Sequence, residues 1–209
     1  MTEPLAAIVL AGGKSQRLGE PKPLVRLGDL TLIERVLGAL APLAQELLVV
    51  VASPEQAEIL PLPPEARVVV DRQPGLGPLG GLYSGLLASP RPWCLAVACD
   101  MPFLNRSLLA HMAALAPGFD AVVPRPGGKL QPLHALYSRA CLAAIEHCLQ
   151  EGERKADAFL SAVSVRHVED EEIAPLDPQW RSFFNVNSRD DLAQAQVVLL
   201  SSAAGSTAT

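Results

Sequence analysis

The chain has 209 residues, 49% hydrophobic but only 4% aromatic, with a net charge of −5. That length can bury roughly 70% of its unfolded surface in one core, made of Leu, Val, Ala and Ile rather than rings. The acidic balance argues against a general nucleic-acid binder, which would present a basic face, yet allows a nucleotide held by a local cationic loop.

Leu5 to Leu10 is a short apolar run ended by paired glycines, which predicts a strand buried on both faces. With Glu3 and no basic region it is not a signal peptide, and no stretch of the chain is of membrane-spanning length. Ala11, Gly12 and Gly13 let the backbone approach a bound group closely, and Lys14, Arg17 and Lys22 add positive charge. A buried strand opening into a cationic glycine turn suits a polyphosphate; the alternative is an ordinary strand-to-loop turn with solvated lysines.

Thr31-Leu32-Ile33-Glu34 reads as a capping box and predicts a helix over about 31–43. A second buried strand follows at 47–51, then a short helix started by Ser53-Pro54. A third strand covers 67–70 and ends at Asp71, and the glycine-proline stretch 75–81 leads into a helix through Leu82 and Leu87. The fourth strand, 93–98, ends at Cys99-Asp100, with Asn105 placed to cap the next helix. The second half predicts a strand at 118–123, a loop at 124–128, a strand at 131–138 carrying His134, and helices at 141–149 and 156–163. A strand at 164–168 and a last helix, capped by Ser188 and Asp191 and running through Leu200, complete it. The tail 201–209 is small and polar and is expected to be disordered. With no repeat and no linker, residues 1–200 read as one domain. Cys94, Cys99, Cys141 and Cys148 lack zinc-ligand spacing and read as free thiols in a reducing cytoplasm.

Strands alternating with helices imply a mostly parallel sheet covered on both faces. Its binding crevice lies beyond the C-terminal strand ends, which collects the glycine loop, Ser53, Asp71 and Asp100. Asp100 either caps the following helix or holds Mg²⁺ beside substrate phosphates; Asn105 is the better cap, which favours the metal. Asp71 is either a turn residue or a ligand contact, and a lone histidine such as His134 is more often core or rim than catalyst. Two familiar phosphate motifs are excluded. A P-loop ending at Gly13-Lys14-Ser15 would need glycine where Ile8 stands. Gly75, Gly77 and Gly80 satisfy GxGxxG, with Asp100 about 20 residues beyond, but Asp71 to Pro74 separate them from their strand, unlike a dinucleotide fingerprint.

Four motifs together resemble the molybdenum cofactor guanylyltransferases, within the nucleotidyltransferases of glycosyltransferase-A-like fold. They are LAGGKSQRLG at 10–19 with Lys22 following, GPLGGL at 77–82, CDMPF at 99–103, and NVN at 185–187 before a capped helix. LAGG rather than LAAG is similar to the guanylyl branch. Leu18 replaces the usual methionine, Glu20-Pro21 precedes Lys22 where an aspartate is commoner, and Ser53-Pro54 stands where Asn-Arg is frequent. The resemblance implies an α/β three-layer sandwich, Rossmann-like, with a nucleotide-binding half of about 1–105 and an acceptor-binding half of about 106–200. It implies transfer of GMP from GTP to the phosphate of molybdopterin, with Mg²⁺ and release of pyrophosphate. By the same resemblance Lys22, Arg17 and Asp100 are catalytic and Asp100 is the metal ligand. Leu10, Ala11, Gly12, Gly13, Lys14, Lys22, Ser53, Asp71 and Asp100 bind nucleotide, and His134, Asn185 and Asn187 line the acceptor side. No nucleic acid or membrane partner is expected; transient contacts with other cofactor-biosynthesis proteins or molybdoenzyme chaperones are compatible. The rival readings are a cytidylyl or sugar-1-phosphate nucleotidyltransferase, a non-catalytic nucleotide sensor, and a dehydrogenase.

Overall fold

The structure, a computed structural model, describes residues 5–13, 18–73 and 75–206. The first strand, β1 (Leu5–Leu10), is followed by a hairpin of two short strands, β2 (Arg26–Leu27) and β3 (Leu30–Thr31). Then come α1 (Leu32–Leu40), β4 (Glu46–Val51), α2 (Pro54–Glu58), β5 (Ala66–Val70), α3 (Gly77–Ala88), β6 (Trp93–Ala98) and α4 (Arg106–Ala114). The second half adds β7 (Ala121–Pro124), β8 (His134–Ser138), α5 (Cys141–Gln150), β9 (Val165–Val168), α6 (Asp170–Ile173) and α7 (Arg189–Ser206).

A seven-stranded sheet in the order β5-β4-β1-β6-β8-β7-β9 runs through both halves. All pairings are parallel except those of β8, which is antiparallel to β6 and β7. Side-chain alternation along the strands sorts the core into two layers. Ala7, Val9, Leu47, Val49 and Val97 meet Ile33 and Leu37 of α1 and Leu108 and Met112 of α4. Ala6, Ile8, Leu48, Val50 and Ala96 meet Leu79, Leu82 and Leu86 of α3 and Ile145 of α5. The expected three-layer sandwich is therefore present, and helix α3 lies closest to the strands because its glycines allow it. A Cβ on Gly85 would stand 2.6 Å from Cγ2 of Ile8.

The predicted caps are present. Thr31 Oγ1 accepts from the Glu34 amide while Glu34 accepts from the Thr31 amide. Asn105 Oδ1 accepts from the Leu108 amide at 3.1 Å, which leaves Asp100 free of that duty. Ser188 and Asp191 exchange bonds at the start of α7.

Two expectations need correction. Residues 156–163 do not form an α-helix: they make turns ending in a 3-10 turn at Leu160–Ala162, with Phe159 buried against Tyr137. Nor does the last helix stop at Leu200, since α7 continues to Ser206. The small residues that suggested a disordered tail include alanines, which favour helix once a helix is already propagating.

Candidate functional site

Strands β1, β4, β5 and β6 are mutually parallel, so their C-terminal ends open on one edge of the sheet. A cavity of 680 Å³ lies there, lined by Leu10, Gly12, Gly13, Val50, Val51, Ala52, Gln56, Asp71, Gly75, Gly77, Pro78, Gly81, Ala98 and Leu133. The glycines make its walls thin. A Cβ on Gly12 would fall 2.9 Å from the Ala52 amide, and Gly77 takes a left-handed φ of 69° with the Arg154 carbonyl beside it. Leu10, Gly12, Gly13 and Asp71 thus line one cavity, as the sequence suggested. Asp71 is held there: its Oδ1 accepts from Ser84 Oγ at 2.7 Å and from the Gln73 amide at 3.1 Å.

Ala11 differs from expectation. Its amide donates to the Val50 carbonyl at 2.8 Å, prolonging the sheet, so it is not a free anion donor. Among the described residues the Gly12 and Gly13 amides have no such partner. Lys14 and Arg17 lie outside the described residues. Ser53, the residue before α2, does not line the cavity, whereas its neighbours Ala52 and Gln56 do. Gln56 was not anticipated. Its Oε1 accepts from the Ala52 amide at 2.9 Å, which leaves the NH₂ group as its remaining donor capacity. A glutamine one helical turn inside a short helix carries no sequence signal for this.

Beside the cavity, three segments far apart in sequence meet. Lys22 Nζ donates to Asp100 Oδ2 at 2.7 Å and to Asn187 Oδ1 at 2.5 Å. The contact has a backbone counterpart, since the Val186 amide donates to the Asp100 carbonyl at 2.9 Å. A small apolar cluster underneath, Leu18, Val25, Leu27, Leu32, Val186 and Ala195, ties the Lys22 segment and the hairpin to α7. Asp100 is 8% exposed, and its Oδ1 is buried with no hydrogen-bond partner among the described residues. An orphaned carboxylate oxygen is costly unless a ligand satisfies it. Among the described residues no cluster of three or more His, Cys, Asp or Glu suits a metal held by protein alone. A single carboxylate is what Mg²⁺ uses when substrate phosphates supply further ligands, so the residues fit that ion.

The acceptor-side residues divide. Asn187 is exposed and belongs to this cluster. Asn185 turns its Nδ2 to the Phe183 carbonyl at 2.9 Å and shapes the loop. His134 does not line this cavity: it is fully buried at the start of β8, its ring 4.8 Å from that of Phe183. Burial pushes its pKa down to about 3, so it is neutral, and both ring nitrogens lack partners among the described residues. The thiols of Cys94, Cys99 and Cys141 are buried as well. Burial raises Cys99 to about 12, with the Asp100 charge adding to it, and Cys94 to about 11.

A mostly parallel α/β sheet with Gly12 and Gly13 lining a cavity at its C-terminal edge and a Lys22–Asp100 pair beside it is the architecture of a nucleotidyltransferase. The MobA-like NTP transferase domain model matches residues 7–169, and the chain belongs to that family. It is 38% identical over 198 residues to a probable molybdenum cofactor guanylyltransferase of Pelotomaculum thermopropionicum, covering 95% of each chain. It is similar to the crystal structure of molybdopterin-guanine dinucleotide biosynthesis protein A from Archaeoglobus fulgidus, with a TM-score of 0.82 and 30% identity, over 94% of this chain and 99% of that one. The 4-diphosphocytidyl-2C-methyl-D-erythritol synthase of Anaerococcus prevotii has a TM-score of 0.75 at 15% identity, over 95% and 97%, and shares the fold alone. Among the described residues no helix is long and apolar enough to cross a membrane.

Proposed function

We propose that this chain transfers the guanylyl group of GTP to the phosphate of molybdopterin and releases pyrophosphate. The observation that carries the reading is the meeting of Lys22, Asp100 and Asn187, with Asp100 two residues beyond Ala98, which lines the nucleotide-sized cavity. Family membership and the names of its relatives favour guanylyl over cytidylyl transfer.

The nucleophile is an acceptor phosphate oxygen, already ionised at neutral pH, so the site needs no general base. That agrees with a histidine buried and neutral in the core. The oxygen bonds to the α-phosphorus of GTP while the bond from that phosphorus to the β-phosphate bridging oxygen breaks, and pyrophosphate leaves with the electron pair. The chain's contribution is to position two polyanions and to neutralise charge on the transferring group. The Gly12 and Gly13 amides, with Lys14 and Arg17, hold the triphosphate, and Lys22 serves the α-phosphate. Asp71 meets the ribose, Gln56 lies toward the base, and Asn187, whose Oδ1 accepts from Lys22, offers its Nδ2 donor to the acceptor phosphate. Asp100 Oδ1 is the ligand we assign to Mg²⁺. When bound, that ion would supply positive charge to offset the negative charge of the transferring phosphoryl group. Four free thiols, three of them buried, suit the reducing cytoplasm in which such a reaction would run.

Calorimetry with GTP, CTP, ATP and UTP, with and without Mg²⁺, followed by a molybdopterin transfer assay, tests this. Selective, Mg²⁺-assisted GTP binding and formation of the guanine dinucleotide are expected. A preference for CTP would move the protein to cytidylyl transfer, and nucleotide binding without turnover would make it a sensor.

A further inference from the structure

A second cavity, of 630 Å³, shares no lining residue with the first. Its wall is made by Phe103, Trp180, Phe183 and Phe184, with Gln131 and Gln179 beside them. The chain has only two tryptophans and five phenylalanines, and four of those seven line this one cavity. Phe103 follows Asp100 by three residues and Phe184 precedes Asn187 by three, while Lys22 bridges Asp100 and Asn187. Three residues span at most about 11 Å, so the aromatic wall begins within roughly that distance of the Lys22 cluster.

The wall is preorganised. Trp180, 37% exposed, has a φ of 53°, and it is the one positive-φ residue other than glycine among the described residues. Such a conformation persists only where its surroundings over-determine it. The Trp180 amide donates to the Asp177 carbonyl at 2.9 Å, and the Phe183 amide donates to the Trp180 carbonyl at 3.2 Å. The buried Asp177 carboxylate accepts from the Ser182 and Arg181 amides, and Ser182 Oγ accepts from the Asn105 amide. The indole stands over the turn at Pro126–Gly128, where a Cβ on Gly127 would meet Cζ3 at 3.5 Å. Behind Phe183 lies the fully buried His134, so the floor of this wall is buried and fixed. In contrast, the side-chain amides of Gln131 and Gln179 make no hydrogen bond among the described residues.

A rigid aromatic face edged by primary amides, each both donor and acceptor, suits a flat heteroaromatic ring with a mixed donor-acceptor edge. We propose that this cavity holds the pterin ring of the acceptor, stacked on Trp180 and Phe184 with its polar edge toward Gln131 and Gln179, while the acceptor phosphate points to the Lys22 cluster. The inference rests on the guanylyltransferase reading and adds where the acceptor's ring sits.

The test uses 6-hydroxymethylpterin, which has the ring without the phosphate, followed by its own fluorescence anisotropy. Wild-type protein should bind it saturably and quench Trp180 emission. Trp180→Asn, which keeps a residue tolerant of the left-handed backbone, and Gln131→Leu should each weaken binding about 10-fold or more. Both should leave Mg²⁺-GTP binding and the thermal midpoint near wild type, and raise KM for molybdopterin with kcat little changed. No binding by wild type, equal binding by both variants, or displacement of the pterin by GMP would overturn the assignment. Pterin binding lost in the variants without any guanylyl transfer would sink the functional reading and leave the pocket. Transfer with KM unchanged in both variants would sink the pocket alone.

Discussion

Replacing Asp100 by Asn separates chemistry from folding. The pair Lys22–Asp100 is 2.7 Å long, with side-chain exposures of 24% and 12%. With charge centres about 3.5 Å apart and an effective dielectric of about 20, the attraction is roughly 5 kcal/mol. Desolvation offsets most of it, and Lys22 keeps its bond to Asn187. A net loss of about 1–2 kcal/mol remains, less than for a fully buried pair. For a chain of this size that lowers the melting temperature by about 2–8 °C. The backbone bond from Val186 to the Asp100 carbonyl is untouched, so the fold persists. Turnover should fall by about 10²–10³, equivalent to roughly 2.7–4 kcal/mol, through lost charge stabilisation in the transition state. The Mg²⁺ enhancement of GTP binding should vanish, while metal-free GTP binds at least as well because Lys22 loses its competing anion. Thermal unfolding, calorimetry with and without Mg²⁺, and pyrophosphate release measure the three terms. Turnover within about threefold of wild type, or a retained Mg²⁺ response, would refute the assignment of Asp100 Oδ1.

Lys22→Ala should lower kcat more than it weakens ground-state GTP binding, measured by single-turnover kinetics beside calorimetry; the opposite split would make Lys22 a binding residue only. His134→Leu should preserve transfer and flatten the acid side of the stability profile. His134 is depressed to about 3 in the fold, so the unfolded chain binds the extra proton between about pH 6.5 and 3. Stability from this group is present above about pH 6.5 and is lost as pH falls, by at most about 1.4 kcal/mol per unit. Urea titrations from pH 7 to 4.5 read the difference, and an unchanged slope in the variant would contradict the burial argument. Gly85→Ala, whose Cβ would press on Ile8 at 2.6 Å, should cost about 1–3 kcal/mol by urea unfolding. A neutral result would mean that α3 can move off the sheet.

The local code was largely readable. The apolar runs at 5–10 and 93–98 are the strands, and Thr31, Asn105 and Ser188 cap the helices that follow them. These features depend on neighbours within a few residues, where periodicity and capping chemistry act. The alternation of strands and helices determined the three layers, and with parallel strands it determined the edge on which the glycine loop, Asp71 and Asp100 converge. Residues 201–206 misled because alanine-rich tails look structureless until a preceding helix extends into them.

Other features were decided only by tertiary packing. The reversal of β8 between β6 and β7 buries His134, and nothing in the run from Gln131 to Ser138 distinguishes a rim histidine from a core one. The Ala11 amide was spent on Val50 by the pairing of two strands, and Gln56 entered the cavity because α2 docks at the end of β4. The bridge from Lys22 to both Asp100 and Asn187 joins segments with no local relation, held by Leu18, Leu27 and Val186 beneath them. A sequence specifies which groups can ionise and bond. Which of them are desolvated together is decided where distant segments share a core, because burial and charge pairing act through space rather than along the chain.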